Sequence, residues 1–355
     1  MSTNVGVLGL GLYLPPEIRR NDWWPQHVVD RWTADREGPP AGALEPRSEG
    51  TRRVLAAMAK QAHDPFNGAV ERHVMPDAMT LVDMQEQAAR QAIARAGIGV
   101  DQVDLVLTNT VTPDFLLGNP GCAIHERLGV PAACLTIETE AATYAFLAQL
   151  SLAEAMIAAG RARYALLVQA CAPSRLLDKE YWLSPHFGDA ATAAVVGPVA
   201  DGRGLLGAMH FTDGRYPRTL IASVPGGRWY DEGRAVMYNA EPREQLEVFL
   251  IIADICKESV SIALHRAGHD ASAVDFFCMH QGTPWLREVV QDYIGLPQAR
   301  SLDLFASTGH LMASNLPATL ARAEENGSLR AGDLVVLMAG GQGMTYGASV
   351  LRWGT

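Results

Sequence analysis

The chain has 355 residues, of which 48% are hydrophobic and 19% charged, and it carries a formal net charge of −10. That size and apolar content support a large buried core, the acidic balance disfavours non-specific nucleic-acid binding, and no run of eighteen apolar residues offers a membrane span. Five cysteines, at 122, 134, 171, 256 and 278, are odd in number and lack CxxC or His-rich spacing, which points to reduced thiols with neither a disulfide framework nor a metal site.

The opening MSTNVGVLGLGLYLPP has an apolar run without a basic leader, so it predicts a first strand over Val5–Tyr13 and a cytoplasmic address. Asn21-Asp22 before Trp23-Trp24-Pro25 reads as a capped, aromatic helix start. Residues 33–53, with Pro39-Pro40-Ala41-Gly42 and few large apolar groups, read as a solvated insertion, either a surface loop or a lid. Leu81, Met84, Ala88, Ala92 and Ala96 are spaced as one face of a helix that Gly97 ends. A strand follows over Val103–Asn109, then a loop entering a helix over Gly118–Gly129. There Cys122 reads as packed and His125 as solvated.

Leu135–Thr139 is a short strand. The run AATYAFLAQLSLAEAMIAAG from Ala141 predicts the most buried helix of the chain, and Thr143 lies in its first turn. The free N–H groups and positive dipole end there favour a nucleophile or a developing oxyanion. Tyr164–Ala170 and Ala190–Val196 are further buried strands, and Cys134 and Cys171 read as packed at strand ends. Beyond a boundary near Gly202–Gly207 come a long helix over Glu244–Gly268, strands at Val274–Met279, Leu334–Ala339 and Ala348–Trp353, and a helix over Leu316–Glu325 started after Asn315. Gly340-Gly341-Gln342-Gly343 opens no helix, so it reads as a tight turn and not as a phosphate loop.

Two stretches keep step 171 residues apart: VDLVLTNTVTP at Val103–Pro113 and VDFFCMHQGTP at Val274–Pro284, each preceded by Arg-Ala-Gly. The chain therefore reads as two similar halves, 1–203 and 204–355, each with parallel strands buried on both faces. Asn109 and His280 occupy the same place at the two strand ends.

Taken with this duplication, several segments in order make the chain resemble the β-ketoacyl-acyl carrier protein synthase III family of the thiolase superfamily. They are VGVLGLGLYLPP, ERHVMPD at 71–77, the helix and strand from Ala88 to Asn109, HFGDAATAAV at 186–195, MHQG at 279–282 and GQGMTYGASVLRW at 341–353. The insertion at 33–53 and the NDWWP element are most similar to the branch serving polyketide and antibiotic pathways. The resemblance implies an α/β thiolase-like fold, with duplicated βαβαβ halves in a five-layered α-β-α-β-α body, and a homodimer. It implies no cofactor beyond the coenzyme A or phosphopantetheine thioester that carries the acyl group. It also implies an acyl-CoA or acyl carrier protein donor, and neither a nucleic-acid nor a membrane partner.

The family uses Cys, His and Asn: a thiolate to take the acyl group, and two polar side chains at the acceptor's carbonyl. The implied nucleophile position falls on Thr143, a far weaker acid than a thiol, with Glu140 as a candidate partner. His280 matches the histidine as general base or oxyanion donor. Ungapped counting places His310 where the family has Asn, while Asn315 stands five residues later; both are candidates. Gly343 matches the oxyanion-hole amide, with the Thr143 N–H as the other donor. The carrier-facing arginine is replaced by Trp285, with Arg287 two residues on, and Trp23, Trp24, Trp32 and Trp229 are either core or the walls of a pantetheine tunnel. The leading expectation is an acyltransferase. The alternatives are a decarboxylative condensing starter-unit synthase and a catalytically silent partner subunit.

Overall fold

The computed structural model describes residues 3–35 and 46–355. In chain order its elements begin with strands β1 (Val5–Tyr13) and β2 (Glu17–Arg20), helices α1 (Gln26–Asp35) and α2 (Glu49–Gln61), β3 (Glu71–Val74) and α3 (Leu81–Ala96). They continue with β4 (Leu105–Thr110), α4 (Gly121–Leu128), β5 (Leu135–Glu138), α5 (Ala145–Ala158), β6 (Ala165–Cys171) and β7 (Ala190–Pro198). The second half holds β8 (Gly204–Thr212), β9 (Ile221–Ser223), β10 (Val236–Tyr238), α6 (Pro242–Arg266), β11 (Phe276–Met279), α7 (Leu286–Ile294) and α8 (Phe305–Thr308). It closes with α9 (Asn315–Glu325), β12 (Leu334–Gly341) and β13 (Thr345–Arg352).

The local signals act as their chemistry dictates. Thr80 caps α3 reciprocally with Asp83: the Asp83 N–H donates to the Thr80 hydroxyl at 3.2 Å, and the Thr80 N–H donates to the Asp83 carboxylate at 2.9 Å. Gly97, at φ 66°, ends the same helix in the left-handed conformation that costs glycine nothing.

Two sheets form the frame, one ordered β1-β7-β6-β4-β5 and the other β11-β12-β13-β8. Helices α5 and α9 lie between them: Phe146, Leu147, Leu150, Leu316 and Leu320 share one buried cluster with Leu105, Leu167, Phe276, Val335 and Leu337. Helices α3 and α4 cover the outer face of the first sheet, and α6, α7 and α2 cover that of the second. The result is the expected five-layered α-β-α-β-α body. The repeat is visible in the register, since β4 meets β6 in parallel at Leu105↔Ala165 and β11 meets β12 in parallel at Phe276↔Val335. In the second half a single parallel bridge, Phe276↔Arg300, stands where β5 stands in the first.

Several expectations change. The sheets are mixed, because β7 is antiparallel to both β1 and β6, and β13 is antiparallel to both β12 and β8. Strands β12 and β13 are joined by a turn too short for a crossover, and no α-helix joins β6 to β7, so each return runs antiparallel. Of the expected insertion at 33–53, residues 36–45 lie outside the described residues; its start belongs to α1, and from Glu49 the chain is helical. That helix, α2, begins with a Ser48 side chain that accepts the Thr51 N–H at 2.9 Å. Its Val54 and Ala57 pack into the outer cluster of the second half, so a segment early in the chain braces the later sheet. Cys122 is exposed, because the buried face of the two-turn α4 is Gly121, Ile124 and Leu128. His125 is half-buried with Nε2 3.2 Å from the Pro131 carbonyl, and Cys134 is only partly buried.

Candidate active site

Thr143 sits in a single 3-10 turn, Ala142–Tyr144, that leads into α5. The turn is held from both sides. Ala142 adopts φ 48°, and its N–H donates to the Glu140 carboxylate at 2.6 Å. The other Glu140 oxygen accepts from Asn109 Nδ2 at 3.3 Å, so this carboxylate fixes backbone and is not aimed at the Thr143 hydroxyl. Asn109, the repeat partner of His280, is thereby structural. On the opposite side the end of β12 presses against the turn: a Cβ on Gly341 would stand 3.1 Å from Tyr144 N and inside van der Waals contact with the Ala141 oxygen. Only glycine allows that approach. Below the turn, Gln149 of α5 donates to the Thr139 hydroxyl at 2.8 Å and accepts from Gln169 of β6, which in turn accepts from Thr192 of β7 at 2.9 Å. This satisfied polar chain sets the rotation of α5 on the first sheet.

His280 stands just past β11. Its N–H donates to Met338 O at 3.1 Å, and its Nδ1 accepts the Gly340 N–H at 3.3 Å. Burial lowers its pKa to about 4, so the ring is neutral at pH 7. With Nδ1 accepting, the proton of the neutral ring is on Nε2, which makes Nε2 a hydrogen-bond donor. The next residue locks the strand end. Gln281 donates through Nε2 to Leu302 O at 2.8 Å, accepts from Leu304 N at 2.7 Å, and donates its own N–H to Asn315 Oδ1 at 2.8 Å.

His310 comes from the connection between α8 and α9. Its N–H donates to His186 O at 2.7 Å, and its carbonyl accepts from Gly188 N at 3.2 Å, so the 186–188 stretch clamps its backbone. Its ring packs edge-on against Phe187 at 5.1 Å and against His280 at 6.2 Å between centroids. Neither ring nitrogen has a hydrogen-bond partner among the described residues. Burial, and after it the neighbouring His280, lower its pKa to about 3. Two neutral imidazoles thus face each other with different capacities: His280 offers a proton, and His310 offers an unused lone pair as well as an N–H.

Thr143, His280 and His310 line one cavity of about 180 Å³, walled by apolar side chains from α6 and the strand ends, among them Ile252, Met338, Met344 and Tyr346. The structure therefore brings three of the expected residues together. Asn315 is fully buried behind Gln281 and is not in the lining, and Gly343 is not in it either; from that turn Gly341 and Gln342 reach the cavity. Trp24 and Trp32 form their own cluster with Phe66, Trp229 is exposed, and the tryptophan that lines the cavity is Trp182, which sequence reasoning missed. Trp182 lies in the β6–β7 connection, where no periodicity marks a position as facing inward. Cys256 is the one cysteine in the wall among the described residues, and its burial raises the thiol pKa, which opposes a thiolate nucleophile. Cys171 is buried and donates to Leu311 O at 3.1 Å. Trp285 packs against Phe249, and Arg287 forms a two-pronged pair with Asp303 at 2.6 Å, so neither presents a free group to a carrier.

Residues 137–214 match the family model of 3-oxoacyl-[acyl-carrier-protein] synthase III, and residues 264–353 match its C-terminal model. The chain is 32% identical over 292 residues to a β-ketoacyl-[acyl-carrier-protein] synthase III of Geobacillus kaustophilus, covering 81% of this chain and 88% of that one. It is 28% identical over 354 residues to β-ketoacyl-[acyl-carrier-protein] synthase III 1 of Bacillus cereus, covering 99% of each. Among solved structures, the 3-oxoacyl-(acyl carrier protein) synthase III of Pseudomonas aeruginosa superposes with a TM-score of 0.78 at 26% identity over 99% of both chains. Xanthomonas campestris OleA, solved with lauric acid and lauroyl-CoA bound, shares the fold at a TM-score of 0.76 and 18% identity, over 99% of this chain and 100% of that one.

Proposed function

The chain belongs to the 3-oxoacyl-[acyl-carrier-protein] synthase III family, and from that premise we propose that it is an acyltransferase of a natural-product pathway. In this reading it takes an acyl group from a thioester of coenzyme A or of a carrier protein and delivers it to a hydroxyl, an amine or a carrier thiol. The observation that carries the reading is His310, whose ring nitrogens are both unpartnered beside a donor-only His280. A condensing site needs two donors at the acceptor's carbonyl; transfer to a heteroatom needs a proton acceptor next to the oxyanion donors.

The acceptor X–H gives its proton to the free nitrogen of His310 while X attacks the thioester carbon. The oxyanion that forms is held by His280 Nε2–H and the backbone N–H of Thr143 at the helix N-terminus. Collapse breaks the carbon–sulfur bond, and the leaving thiolate takes the proton from the His310 imidazolium. The low pKa of His310 favours that return of the proton. No acyl-enzyme is required, which suits a hydroxyl at position 143 whose nearby carboxylate, Glu140, is engaged elsewhere. The apolar wall suits a hydrophobic acyl chain.

The test is a panel of acyl-CoA donors mixed with the purified protein and hydroxylamine as probe acceptor, following free thiol and acyl hydroxamate. The reading expects acceptor-dependent release of one thiol per hydroxamate. Carbon–carbon product from a malonyl thioester, with no hydroxamate, would replace it by the condensing reading.

A further inference from the structure

A second cavity, of about 270 Å³, opens behind Phe187, between the β2–β3 ribbon and the connection that follows β6. In a chain of net charge −10, its wall carries five cationic side chains against one carboxylate. Arg72 is 1% exposed and is consumed by structure, donating to Asn21 Oδ1 at 2.6 Å and to the Val70 and Ala69 carbonyls at 3.2 Å. Arg175 is paired with the exposed Asp77 at 2.5 Å. Arg19 and Lys179 are less engaged. The half-buried Arg19 guanidinium lies 4.2 Å from the Trp23 ring centroid, with Lys179 Nζ 5.8 Å from the same ring. Neither cationic group has a hydrogen-bond or ion-pair partner among the described residues. Asp189, the buried acid nearest in charge to Arg19, already accepts from Met75 N at 2.7 Å and from the Ser174 hydroxyl at 2.5 Å. Arg234, at the rim, donates to the Arg175 carbonyl at 3.1 Å.

The partly buried Arg19 guanidinium is compensated only at a distance, by Asp189, Glu17 and Asp77 and without an ion-pair contact, so an anionic ligand in the cavity would supply charge at closer range. Arg19, Lys179 and Arg234 converge on a concave space that an aromatic ring floors, and fork-shaped and point cations together match the oxygens of a phosphate. We propose that this cavity is a binding site for a phosphate-bearing small molecule, held by Arg19 and Lys179 beside Trp23. It is distinct from the acyl-transfer cavity but shares the Phe187 wall with it. Because Phe187 also packs against the His310 ring, an occupant touches the residue that shapes the proton acceptor's surroundings. The proposal rests on this cavity alone and stands or falls separately from the acyl-transfer reading.

Calorimetric titration of the full chain with inorganic phosphate, phenyl phosphate and acetate tests it. The expected result is saturable binding of both phosphates in preference to acetate, weakened at least about tenfold by Arg19→Gln and by Lys179→Gln, each removing one charge-assisted contact. The control Lys60→Gln, on the exposed end of α2, should bind as the wild type does. An unchanged melting temperature for Arg19→Gln and Lys179→Gln separates lost binding from lost folding. Phosphate affinity that both cavity variants leave intact, equal affinity for acetate, or no saturable phosphate binding would each overturn the proposal.

Discussion

Replacing His310 with asparagine should flatten the acid limb of the stability curve. In the folded protein burial lowers the pKa of His280 to about 4 and that of His310 to about 3, with the His280 charge adding to the latter. In the unfolded chain both return to roughly 6.5. A group whose folded pKa is depressed below its unfolded value, and which is neutral when deprotonated, imposes no penalty above pH 6.5. As the pH falls from there towards the folded values, the unfolded chain binds protons that the folded one refuses, and stability drops. Each histidine contributes a slope of about 1.4 kcal/mol per pH unit across that window. His310 alone therefore accounts for roughly 3 kcal/mol between pH 6.5 and 4. Urea unfolding of the wild type and His310→Asn at a series of pH values reads this directly, because titration of carboxylates common to both, such as Asp189 and Glu138, cancels in the difference. The gap should move towards the variant by roughly 2–3 kcal/mol on acidification. Parallel curves would mean that the folded protein accepts a proton at His310 as readily as the unfolded chain does, and the reasoning would fail.

Other outcomes follow from the same geometry. His280→Ala removes the Nε2 donor and should lower kcat for thiol release about 10²- to 10³-fold with little change in KM; a drop in affinity alone would argue for a binding role. Thr143→Ala keeps the backbone amide and should transfer at close to the wild-type rate, and intact-protein mass spectrometry of the wild type should show no lasting acyl adduct. Gly341→Ala drives a methyl into the Thr143 turn, so it should cost about 1–3 kcal/mol in urea unfolding and slow transfer more than any equally destabilising change outside the site.

Much of this was legible from the chain, for identifiable reasons. The 171-residue repeat survives because both copies need the same apolar strand between a glycine-ended helix and a polar strand end, and that pattern became β4 with α3 and β11 with α6. Thr143 and His280 are marked by their places at a helix start and a strand end, while the family resemblance implies their roles and alone singles out His310, which lies in the connection between α8 and α9. Strand direction could not be read: a strand buried on both faces looks continuously apolar whether its neighbour runs parallel or antiparallel, so β7 and β13 were mistaken. Side-chain destinations in connections were equally hidden. Trp182 reaches the cavity from one, while Trp24 and Trp32, more conspicuous in sequence, bury each other. In the Gly-rich turn no periodicity tells which residues face the cavity: Gly340, Gly341 and Gln342 line it, and Gly343, singled out from the family resemblance, does not. The docking of α2 on the second half depends on contacts nearly two hundred residues apart, such as the Thr51 hydroxyl donating to Leu250 O at 2.9 Å, which no local pattern encodes.

The central claim is that His310 accepts the acceptor's proton. Asparagine at that position keeps a hydrogen-bond donor of similar reach but has no basic nitrogen, so His310→Asn separates proton acceptance from mere polarity. The measurement is the rate of acyl hydroxamate formation from a hydrophobic acyl-CoA and hydroxylamine by a variant whose melting temperature at pH 7.5 shows it to be folded. The account predicts a loss of about 10²-fold or more. Transfer by His310→Asn at the wild-type rate would contradict it.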